Sequence, residues 1–157
     1  MSAQVHTSQF IPIEKGRLSE FRFNEPTTGF VLSASPVVLA ATVVLVDDVS
    51  DRVWLNGTVN WQISLAGAGT ASVLFEILRN GTVIYSAVQS ISSFFPVSPF
   101  IVFNQAQLQH VDTTPITTPG LAPVLYQLRA TVLAAPPGTI STLFQVLSAA
   151  EVEANLP

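Results

Sequence analysis

Two histidines, two tyrosines, ten carboxylates and six basic side chains, with no cysteine, are the whole titratable inventory of this 157-residue chain. His110 and Asp112 are the pair closest to an acid–base couple. Residues two apart on a strand share a face for geometric reasons alone, and a reacting site needs a third, orienting group. None stands nearby in sequence, so the pair reads as a polar strand end before the turn Asp112-Thr113-Thr114-Pro115. His6 lies far away in the N-terminal segment. No serine occupies a Gly-x-Ser-x-Gly elbow. Gly67 and Gly69 belong to a turn with no helix after it, not to a phosphate-binding loop. The absence of cysteine removes thiol nucleophiles, disulfides and thiolate metal sites. We expect no catalytic residues, no cofactor and no enzyme.

Asp47-Asp48-Val49-Ser50-Asp51 is the densest acidic run. Calcium takes six to eight oxygen ligands, and Asp47, Asp48 and Asp51 would supply some of them. The spacing lacks the glycine and the closing glutamate of an EF-hand loop, so the run reads first as a solvated loop between strands, with no metal expected. Asn56-Gly57-Thr58 and Asn80-Gly81-Thr82 match the glycosylation sequon. A two-residue hairpin explains each Asn-Gly better, with threonine opening the next strand. Phe94, Phe95, Phe100 and Phe103 surround Pro96 and Pro99. Phenylalanine has no polar tip for a wet sugar site, and it suits the dry centre of a subunit contact.

The elements that position these residues are strands. In Thr58 to Leu65 the apolar Val59, Trp61, Ile63 and Leu65 alternate with polar neighbours, and Val124 to Val132 repeats the pattern. Period two with one wet face is the signature of a sheet packed on a core. Ser72–Arg79 and Thr82–Gln89 carry a larger apolar share, which predicts burial on both faces and marks Phe75, Ile77, Ile84 and Tyr85 as candidates for a subunit contact. Asn80-Gly81 predicts a type I′ turn, and Asn56-Gly57 a second one between Arg52–Leu55 and Thr58–Leu65. Breaks at 66–69, 96–99, 112–123 and 136–138, with no helix-length period, give seven or eight antiparallel strands. That string predicts an all-β, two-sheet jelly-roll-type sandwich with an extended N-terminal arm.

Charged residues make up 10% of the chain, against about 25% in an ordinary soluble domain. With so few ions to cover its surface, the chain either displays Ser, Thr, Gln and Asn or hides apolar faces against copies of itself. Net charge is −4, and Arg52, Arg79 and Arg129 stand apart, so no basic face for a nucleic-acid backbone is expected. The apolar run Phe30–Val46 is broken by Ser33, Ser35 and Pro36 and ends at two aspartates, which predicts buried strand and no membrane span. Met1–Phe10 has no basic-then-apolar layout of a secretory signal. Six charges fall between Glu14 and Glu25, preceded by the apolar island Phe10, Ile11, Pro12 and Ile13. We divide the chain into an arm over 1–29, flexible or partner-docking, a jelly-roll domain over 30–148 and a tail over 149–157.

Arg52 to Val59, Ile77 to Ile84, and Asp112-Thr113-Thr114-Pro115 running through Gly120 to Tyr126-Gln127-Leu128 together resemble bacterial jelly-roll domains of the complement/tumour-necrosis-factor-like type. Nearest are Bacillus-type spore-surface proteins, the exosporium basal-layer proteins and the head of the collagen-like spore glycoprotein. The resemblance implies a homotrimer packed about a threefold axis, further assembly into a surface layer or fibre, and an extracellular or spore-surface location reached without a classical signal peptide. In such an assembly the arm would add a strand to a neighbour's sheet edge, and the joints would be non-covalent. The interface candidates are then Phe10, Ile11, Ile13, Phe75, Ile77, Ile84, Tyr85, Phe94, Phe95, Phe100 and Phe103. Rival readings on the same fold are a receptor- or carbohydrate-binding module, such as a phage fibre tip, and a viral decoration protein.

Overall fold

The computed structural model describes residues 18–65, 67–93 and 100–153. They form nine strands: β1 Leu18–Asn24, β2 Val31–Leu32, β3 Val37–Val46, β4 Arg52–Leu65, β5 Gly69–Arg79, β6 Thr82–Ser93, β7 Phe100–Asp112, β8 Ala122–Ala134 and β9 Gly138–Val152. Among the described residues no helix is long and apolar enough to cross a membrane.

One sheet runs β1-β9-β4-β7, with the two-residue β2 also on β9, and the other runs β3-β8-β5-β6. The eight long strands pair as β1/β9, β4/β7, β3/β8 and β5/β6, all antiparallel. This nesting is one long hairpin whose tip is the β5–β6 turn. Rolling it brings β4 against β9 and β5 against β8. The result is an all-β jelly-roll sandwich. At the tip, Asn80 and Gly81 both have positive φ, 48° and 84°, as a type I′ turn requires. Asn80 fastens the tip to β8: its backbone N–H donates to the Leu125 carbonyl at 2.8 Å, and its side-chain oxygen accepts the Leu125 N–H at 2.9 Å.

Alternation makes the core. Val53, Leu55, Val59, Trp61, Ile63 and Leu65 of β4 are buried and meet Val73, Phe75, Ile77, Tyr126 and Leu128 of the second sheet. The Trp61 and Phe75 rings lie 6.2 Å apart at a tilt of 55°. Phe75 and Ile77 are therefore core residues of the single chain, which corrects their assignment to a subunit contact. Their strand reads as doubly apolar because β5 is flanked by β6 and β8 and its Leu78 is buried as well.

Three further features differ from the sequence reading. Asn56-Gly57 is no turn: β4 runs unbroken through it, paired on both sides with β7 and β9. Glycine stands there because the second sheet comes close. A Cβ at Gly57 would sit 3.2 Å from Leu128 Cδ1. Residues 18–24, placed in the arm, form β1 along β9, and residues 149–152, placed in the tail, complete β9. Besides pairing with β9, β1 covers the outer edge of β3. Glu20 Oε2 accepts the Leu45 N–H at 2.6 Å and Asn24 Oδ1 accepts the Ala41 N–H at 3.4 Å. A sheet edge satisfied by side chains is a poor template for stray pairing.

Gly57→Val is expected to cost about 1–3 kcal/mol by overpacking against Leu128, and Leu128→Ala in the same chain should return part of that loss. Urea unfolding of the two single variants and the double variant measures the coupling.

Candidate functional site

His110 and Asp112 take separate partners. Asp112 is buried, and both its oxygens are engaged. Arg79 Nη1 donates to Oδ1 at 2.8 Å and to Oδ2 at 3.1 Å, Tyr126 Oη donates to Oδ2 at 2.9 Å, and the Thr114 N–H donates to Oδ1 at 3.2 Å. Arg79 also reaches the Thr114 carbonyl. The network joins β7 of one sheet to β5 and β8 of the other. Burial, then the Asp112 charge, pushes the Tyr126 hydroxyl far above its ordinary pKa. The His110 ring stacks on Tyr85, centroids 5.5 Å apart and planes at 28°. The arrangement joins the two sheets at this end of the sandwich, and His110 also borders the depression beside Trp54 described below.

The acidic run folds into a turn between β3 and β4. Asp48 closes it: Oδ1 accepts the Ser50 N–H at 2.8 Å and the Ser50 hydroxyl at 2.5 Å, and those two bonds hold its carboxyl below the usual range. Asp48 thus serves the turn. Asp47 and the buried Asp51 converge instead on Glu151, at the end of β9, with carboxylate oxygens of all three within 4.8 Å of one another. Glu151 was missed from the sequence because residues past Ser148 read as a tail. The available signal was an acid at the next inward position after Leu147 and Ala149.

A third candidate lies on the outer face of the β1-β9-β4-β7 sheet. Register places Phe21 opposite Ala150, Ala150 opposite Trp54, and Trp54 opposite Val111, one row across four strands. The row is bared to solvent: Phe21 is 56% exposed, Trp54 60% and Val111 40%. Phe23, 63% exposed, lies with its ring centroid 6.2 Å from that of Phe21. Beside Trp54 a shallow depression of about 600 Å³ is lined by Asn56, Gln109, Val111, Ser148 and Ala150 among others. Farther along β7, Ile101 and Phe103 are exposed, and between the two apolar ends the outward side chains of β7 are Gln105, Gln107 and Gln109. The middle of β7's outward face is thus polar and uncharged, and its ends are apolar.

Of the remaining interface candidates, Ile84, Tyr85 and Phe100 are half-buried against the core and Phe103 is exposed. Phe10, Ile11, Ile13, Phe94 and Phe95 lie outside the described residues. Arg22, Arg79 and Arg129 each pair with a carboxylate of the same chain, Glu20, Asp112 and Glu76.

No family model matches the chain, and no curated protein matches it. Among solved structures it is similar to that of the infectious bursal disease virus Gx strain, at 13% identity and TM-score 0.47, over 88% of this chain and 33% of that one. It is also similar to the VP2 subviral particle of infectious bursal disease virus, at 11% and 0.45, over 95% and 37%. Dimeric latent PorU from Porphyromonas gingivalis matches at 15% and 0.42, over 91% and 15%. The chain spans well under half the length of each, and likenesses this remote assign it no family. Nothing among them supports the resemblance to spore-surface proteins.

Arg79→Met leaves Asp112 buried with its charge uncompensated and is expected to cost about 2–4 kcal/mol, against about 1 kcal/mol for Tyr126→Phe, which removes one hydrogen bond; chemical denaturation ranks the two. Because the Tyr126 pKa is raised in the folded state, its contribution is complete below the unfolded value of about 10 and is lost as pH climbs beyond it. Thermal melts from pH 8 to 11 should fall more steeply for the natural chain than for Tyr126→Phe.

Proposed function

We propose that this chain is a non-catalytic structural protein that assembles with copies of itself through the outer face of the β1-β9-β4-β7 sheet. The observation that carries this reading is the bared row Phe21–Trp54–Val111 with Phe23 beside it. Three aromatic rings on one rigid sheet face make a surface that gains by excluding water, and aromatic side chains concentrate at interface centres. The flanking amides of Gln107, Gln109 and Asn56 suit a polar rim. Phe103 and Ile101 give the same sheet a second apolar end, as repeated assembly needs. In the finer form of this reading the unit is a homotrimer, and residues 1–17, with Phe10, Ile11 and Ile13, link units into a layer or fibre by adding a strand to a neighbour.

A second reading has its own observation. The depression beside Trp54 offers an indole face with Asn56, Gln109 and Ser148 close by, the combination of a stacking surface and uncharged hydrogen-bonding groups that a neutral glycan needs. On that reading the chain is a carbohydrate- or receptor-binding module.

Native mass measurement of the purified chain decides between them. The expected result is an oligomer, trimeric in the finer reading, that Trp54→Glu reduces to monomer with its circular dichroism unchanged. Deleting residues 1–17, which leaves β1 intact, should abolish species larger than that unit. A natural chain that stays monomeric at tens of micromolar would remove self-assembly, and glycan-array binding by that monomer, lost in Trp54→Ala, would install the second reading.

A further inference from the structure

Three segments distant in sequence meet at one corner of the sandwich: β1 through Ser19, the β3–β4 turn through Asp47 and Asp51, and the last turn of the roll through Glu151. Glu151 carries the observation that singles this corner out. It is only 4% exposed, Ser19 donates its hydroxyl to Oε2, and Oε1 is buried without a hydrogen-bond partner. Among the described residues Trp61 Nε1 and Gln145 Oε1 are also buried without a partner, but only Glu151 Oε1 belongs to a carboxyl group, whose unpaired burial is the costliest of the three and calls for a ligand. Asp51 accepts the Asp48 N–H at 3.2 Å, and Asp47 is open to solvent, which gives an ion a way in.

We propose that this corner is a divalent-cation site, with calcium the ion it fits, held by carboxylate oxygens of Asp47, Asp51 and Glu151. The donors are all hard oxygens, with no imidazole or thiolate among them, which disfavours zinc and copper. They come from a turn and a strand end in an irregular array, which calcium tolerates at a coordination number of six to eight, with water filling the open side. Magnesium demands a near-ideal octahedron and gives up its water reluctantly. The ion would tie the turn between β3 and β4 to the end of β9. The inference is independent of self-assembly.

The test uses the full chain, stripped with EDTA, dialysed, and titrated with calcium chloride at neutral pH by calorimetry and thermal melting. The expected result is saturable binding of about one ion per chain with a calcium-dependent rise in Tm. Asp47→Asn, at an exposed position, and Glu151→Gln should each weaken binding by about tenfold or more, the scale on which carboxylate number tunes calcium sites. Glu151→Gln removes a buried repulsion, so its Tm in EDTA should be no lower than that of the natural chain, which separates loss of the ion from loss of the fold. Absence of saturable binding at millimolar calcium, or binding that both variants leave unchanged, would overturn the proposal. Tighter binding of magnesium than of calcium would overturn the choice of ion.

Discussion

A carboxylate between two apolar sheets is tolerable only when its charge is met on every side, and Asp112 meets that condition through Arg79, Tyr126 and the Thr114 amide. The consequence is geometric. Arg79 ends β5, Tyr126 sits in β8 and Asp112 ends β7, so satisfying one group fixes the separation and register of both sheets at that end of the roll. Dispersion forces across the core are strong but weakly directional. The hydrogen bonds of this network are directional, and they select one stacking of the sheets from the several that alternation alone would allow.

The outer surfaces follow from the same economy of charge. Arginines that meet carboxylates within the chain, as Arg129 meets Glu76 across β5 and β8, leave few ions to solvate the strands. Hydroxyls and amides take their place: Thr70 bonds Ser92 and Ser72 bonds Ser90 across β5 and β6, at 2.9 and 2.8 Å. Such a surface is wetted by neutral hydrogen-bonding groups, with few ions of either sign.

The sequence carried the fold well because its two strongest signals are local. Alternation in Thr58–Leu65 and in Val124–Val132 states which face is buried, and Asn80-Gly81 states where the hairpin reverses. What it hid depends on contacts between distant segments. Asn56-Gly57 has the same letters as the true turn, yet Gly57 answers to Leu128 across the core and not to a reversal of the chain. The alternation Glu20-Phe21-Arg22-Phe23 was present but lay inside a charged patch, and its hydrogen-bonding partners on β9 and β3 are remote in sequence. The acidic corner was half legible: Asp47 and Asp51 could be named, whereas Glu151 joins them only because the roll returns its last strand to the turn after β3.

That return has a temporal side. Leu18 pairs with Val152, and β9 lies between β1 and β4 in the finished sheet. As the polypeptide leaves the ribosome, β1 therefore emerges with no strand to join, and one flank of β4 stays unoccupied until β9 has followed. Closing such widely separated segments is entropically slow. The interval before closure is when the bare β-edges of neighbouring nascent chains can find each other.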